Sequence, residues 1–69
     1  MEIKNEDHAK EMLQEWQELP LLAQKREIRT AVEKLELNSM YYEQKGNDKG
    51  VQRANRCINI LSEYLSSIE

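Results

Sequence analysis

Only three residues of this 69-residue chain break a helix outright, and they stand in two places: Pro20, and the pair Gly46 and Gly50. Proline has no backbone donor and pushes the residue before it out of the helical region. Glycine accepts the left-handed conformation in which many helices end. Between the breakers run mostly Leu, Glu, Gln, Lys, Met and Ala, which are strong helix formers, and there is no Phe. The chain is therefore expected to be all-α, a single domain over residues 1–69, with helices at about 5–19, 20–45 and 49–68.

Each segment carries its own start signal and its own apolar stripe. Asn5 is a good N-cap, and Glu6 and Asp7 follow in the first turn, where the helix dipole favours negative charge. Ala9, Met12, Leu13 and Trp16 recur at the spacing of one helix face. Pro20 suits the opening of the second helix. In that helix Leu21, Ile28, Val32, Leu35, Ser39 and Tyr42 repeat at near-heptad spacing. Gly46 is a natural C′ residue, GNDKG forms the turn, and Asn47 or Asp48 can cap the third helix. Val51, Ala54, Ile58, Leu61, Leu65 and Ile68 make the inner face of that helix, with Cys57 and Tyr64 beside it.

So short a turn makes the second and third helices a long antiparallel hairpin. The third helix is too short to reach the start of the second. Two arrangements cover the gap near Leu21, Leu22 and Ile28: the short N-terminal helix folds back to give a three-helix bundle, or a second copy fills it to give a dimeric helical assembly. A core this small also leaves little net stability, which favours a partner that buries more surface.

Little in the sequence points to catalysis. A net charge of −3 repels phosphate on average. Basic residues cluster at Lys25, Arg26 and Arg29, and again at Lys45, Lys49, Arg53 and Arg56, but Glu27, Glu43 and Asp48 are interleaved. Nucleic-acid binding by these clusters is the third reading. His8, Glu11 and Glu15 share a helical neighbourhood, yet a structural zinc site wants four ligands, usually Cys or His. Cys57 is the only cysteine, so no internal disulfide forms, and its place on an apolar flank suits a structural thiol. No nucleophile–base pair or phosphate-binding glycine loop is evident. No enzyme activity, cofactor or metal is expected. No apolar run approaches the ~20 residues of a membrane helix, and the acidic N-terminus lacks the apolar core of a signal peptide. The expected location is the cytoplasm.

Two surfaces stand out as candidate partner sites. Asp7, Glu11, Glu15 and Glu18 form an acidic row along the first helix, about one helical pitch apart, and such a row attracts a basic surface. Leu37, Met40 and Tyr41 turn away from the Ile28 side of the second helix, by up to about 180° at 100° per residue, and Ile60 is similarly misplaced on the third. These four are expected on the outer faces, in contact with a partner or another copy.

In size and layout residues 28–69 resemble the aspartyl-phosphate phosphatases of the sporulation phosphorelay. That family carries a Ser-Gln-Glu-Leu-Asp signature on its second helix. Here the nearest segment is Leu61-Ser62-Glu63-Tyr64-Leu65, without the Gln or the Asp, so the resemblance transfers no residue roles. The leading expectation is a small acidic, non-catalytic protein that binds and regulates or inhibits a larger one, such as a nucleic-acid-processing enzyme, in the manner of many phage and mobile-element products. A self-assembling homodimer or larger homo-oligomer is the alternative.

Overall fold

A computed structural model describes residues 3–69; Met1 and Glu2, part of the acidic N-terminus, lie outside the described residues. Three helices follow one another, α1 (Glu6–Trp16), α2 (Leu21–Gln44) and α3 (Asp48–Ile68), with no strand among the described residues. They form a three-helix bundle 39 × 20 × 18 Å in extent. The long hairpin of α2 and α3 is its body, and α1 lies chiefly against α3.

Capping explains where each helix begins. The Asn5 side chain accepts from the His8 N–H at 2.8 Å, and His8 Nδ1 in turn accepts from the Lys4 N–H at 3.1 Å. A capping box would return a bond to the N-cap N–H; here the histidine reaches one residue further back, to Lys4. Asn47 caps α3 in the same way, accepting from the Gly50 N–H at 3.0 Å.

The ends are equally specific. Helix α1 stops at Trp16, three residues before the expected Leu19. Residues 17–19 tighten into i to i+3 turns, with Leu19 N–H donating to Trp16 O at 2.9 Å. Pro20, extended at ψ 153°, then holds the N-cap of α2 rather than its first helical position. At the other end of α2, Gly46 takes φ +71°. Gly46 N–H donates to Glu43 O and Asn47 N–H to Tyr42 O, which is the full Schellman pattern and turns the chain into α3.

Ala9 and Leu13 of α1, Ile28 and Leu35 of α2, and Cys57 and Leu61 of α3 make one core cluster. Ile28 and Leu61 are completely buried. An ion pair from Glu6 to Arg56 Nε, 2.8 Å long, sets the start of α1 beside the middle of α3. From there α1 runs parallel to α3 and antiparallel to α2. It folds back within the same chain, where Ile28 is fully buried, but Leu21 and Leu22 at the start of α2 stay exposed.

Two packing features lie beyond the apolar periodicity. Gly50 belongs to the first turn of α3, not to the connecting turn, and it is buried. A Cβ there would stand 2.6 Å from the Tyr42 ring, so glycine is what lets α2 and α3 approach at this end. At the opposite end the buried Gln24 donates through Nε2 to Leu19 O at 2.7 Å and accepts from Tyr64 OH at 3.0 Å. One amide thus ties the α1–α2 turn to α3.

Gly50→Ala is expected to destabilise the protein by about 1–3 kcal/mol through overpacking, although the same exchange at an open helical site stabilises by ~0.5–1. Chemical denaturation followed by circular dichroism reads the sign. Gln24→Leu is expected to cost about 1–3 kcal/mol in the same measurement, because Leu19 O loses its donor inside the joint.

Candidate functional site

The fold has consequences for the acidic row. Asp7, Glu11 and Glu15 all lie exposed on one side of α1, opposite its buried residues Ala9, Met12 and Leu13. Glu18 is exposed as well, but it falls in the turn after Trp16, so it extends the row only loosely. None of these four carboxylates forms an ion pair among the described residues. Glu6, which is not part of the row, is the α1 carboxylate spent on an internal contact, with Arg56.

The four misplaced apolar residues divide. Leu37, Met40 and Tyr41 remain 65%, 56% and 57% exposed. They stand together at i, i+3 and i+4 on the half of α2 that α1 does not reach. Tyr41 meets Tyr42 edge to face at 6.0 Å between ring centroids, and the Lys45 ammonium sits 5.6 Å above the Tyr41 ring. These contacts hold Tyr41 in place without covering it. Ile60 does not join them. It is half-buried and packs against the core cluster. Arg56, one turn earlier on the same side of α3, is paired with Glu6, so α1 covers the side of α3 that a bare hairpin would leave open.

The folded-back α1 does not cover the start of α2 as expected: Leu21 and Leu22, with Leu19 before them, remain a second exposed apolar group. Leu19, Leu21 and Leu22 are 37%, 55% and 76% exposed. Leu21 fits the inward stripe, but it stands too near the helix end to be covered.

The basic clusters are partly engaged within the chain. Arg29 pairs with Glu69, Arg56 with Glu6, and Lys45 with the Tyr41 ring. No group of three His, Cys, Asp or Glu residues comes together as a metal site among the described residues. No helix is long and apolar enough to cross a membrane, again among the described residues.

Cys57 is 1% exposed. Burial pushes its thiol above the ordinary value of 9.0; Glu6 raises it further, and Arg53 and Arg56 oppose. Such a thiol stays protonated near neutrality and packs as a small apolar side chain. Beside it opens a shallow cavity of about 160 Å³, bordered by Ile3, Lys4, Asn38, Tyr42 and Arg53. Its lining holds no second group positioned as a base for the thiol.

Against known protein families, curated proteins and solved structures the chain has no match. The class is thus defined by fold and surface alone: a three-helix bundle with one acidic helix face and two groups of exposed apolar side chains.

Two measurements check this surface map. The paired change Leu37→Asp and Tyr41→Asp is expected to leave helix content unchanged and stability within about 0.5 kcal/mol, because both side chains are surface residues. Cys57 is expected to resist alkylation until the chain unfolds. Because folding raises the thiol's value, its stabilising contribution is complete below the unfolded value and falls away as pH climbs through the folded one. Denaturation midpoints should therefore decline on the alkaline side, and less so in Cys57→Ala.

Proposed function

We propose that this protein is a non-catalytic helical module of the cytoplasm that binds a larger protein and regulates or inhibits it. The observation that carries the reading is the group Leu37, Met40 and Tyr41, three large apolar side chains that stay more than half exposed side by side on a rigid helix. A monomer with a core this small gains stability by burying such side chains, and their placement together is the mark of a contact surface. The acidic row Asp7, Glu11 and Glu15 supports a partner with a basic surface, because unpaired carboxylates on one face speed encounter and select orientation. A nucleic-acid-processing enzyme carries a surface of that kind, and small acidic regulators of phages and mobile elements work on such targets.

A second reading, self-assembly through the outer face of α2, draws on the same exposed patch.

The test is affinity capture from the native host with the wild-type chain and with a variant combining Asp7→Lys, Glu11→Lys and Glu15→Lys. A specific protein is expected to be retained by the wild type, to be lost with the variant, and to elute as salt screens the charges. Retention that ignores both the variant and the salt would remove the acidic face from the contact.

A further inference from the structure

Along the outer side of α2 the residues Leu22, Arg26, Arg29, Glu33, Glu36 and Met40 follow one another at steps of four and three, the spacing of a coiled-coil seam. All six are exposed, and they turn away from the buried Ile28 and Leu35. Their chemistry is ordered: an apolar residue at each end, two bases in the first half, two acids in the second.

From this order we infer that α2 pairs with α2 of a second copy of the chain, antiparallel, about a two-fold axis crossing each helix at Ala31. The inference rests on the reading of the outer face of α2 as a contact surface. In this register Leu22 meets Met40 of the second copy, Arg26 meets its Glu36, and Arg29 meets its Glu33, and each contact occurs twice. Leu37 and Tyr41 flank the apolar ends. A parallel pairing would set Arg26 against Arg26 and Glu33 against Glu33, so the charge pattern selects the antiparallel one. An isologous two-fold interface requires this kind of self-complementarity.

Within one chain these charges are only partly engaged: Arg29 pairs with Glu69 across the exposed end of α3, and a contact with Glu33 of the second copy shares or displaces that pair. The first turn of α2 holds no acid and its last turn no base. Arg29 and Glu33 stand in the less favourable order for an i, i+4 pair. Arg26 and Glu36 have no ion-pair partner among the described residues.

The size is adequate. The seam from Leu22 to Met40 runs for roughly 28 Å of helix. Such a contact buries on the order of 600–800 Å² per copy, close to the ~800 Å² of a standard specific interface. Exposed leucine and methionine at the ends with charge pairs between them make an association of moderate strength. The acidic face of α1 lies off this seam, so a dimer would present it twice to a larger partner.

Sedimentation of the full chain from about 10 µM to about 1 mM tests the proposal. The wild type is expected to pass from monomer to dimer across this range, less readily at high salt. Arg26→Glu alone and Glu36→Arg alone should each weaken the dimer about tenfold, and the two changes together should restore it. Because both sites are exposed and away from the core, circular dichroism should show a fold about as stable as the wild type. A wild type that remains monomeric at ~1 mM would overturn the proposal. So would a dimer that ignores the single reversals or is not rescued by the pair. Capture of a larger protein by a strictly monomeric chain, still dependent on Asp7, Glu11 and Glu15, would leave the proposed function standing while this inference fell.

Discussion

The short third layer governs this molecule. Helix α1 has 11 residues against 24 in α2 and 21 in α3, so it can shield only about half of the hairpin. The Glu6–Arg56 pair and the burial of Ala9 and Leu13 commit it to the half that contains Ile28 and Leu61. On that half three helices converge on a shared core. On the other half only two helices meet, and two helices have a single buried seam. Any apolar side chain off that seam faces water, which is the position of Leu37, Met40 and Tyr41.

The two ends of the hairpin solve their packing differently. At the GNDKG end the backbone of Gly50 slides beneath the Tyr42 ring, and closeness comes from a missing side chain. At the α1–α2 end the buried Gln24 bridges Leu19 O and the Tyr64 hydroxyl, and closeness comes from a satisfied polar group. A buried amide of this kind gives little net energy but is costly to disrupt, so it pins the turn that aims α1. Both devices act through geometry that an apolar stripe does not encode.

Much of this architecture was legible in the residues. Asn5, Pro20, Gly46 and Asn47 mark helix boundaries because each acts through its own backbone or its nearest neighbours, and local chemistry survives translation into three dimensions. The buried face of α1 follows the helical repeat closely, and so do Ala54 and Leu61 of α3, but Cys57, expected on the flank, is fully inside while Val51, Ile58, Leu65 and Ile68 are only partly buried. The exposed patch was visible as a conflict, since Leu37 and Tyr41 cannot share a side with Ile28. Three particulars were not legible. Ile60 looked like Leu37, an apolar residue off the main stripe, but α1 covers it and not Leu37. Gly50 looked like a turn residue, since composition does not distinguish a glycine that bends the chain from one that admits an aromatic ring. Gln24 looked like an ordinary polar position, because its two partners are five residues before it and forty after it.

By itself the amino-acid order determined three amphipathic helices, their caps, the antiparallel hairpin and the acidic face of α1. Each of these arises from contacts within a few residues or from a fixed angular repeat. Only the tertiary structure decided that α1 closes on its own chain, that Ile60 is sheltered while Leu37, Met40 and Tyr41 are not, and that Gly50 and Gln24 are the joints at either end. The physical reason is reach: an 11-residue helix has room to cover one half of its neighbours, and which half depends on an ion pair and a core contact between segments about fifty residues apart.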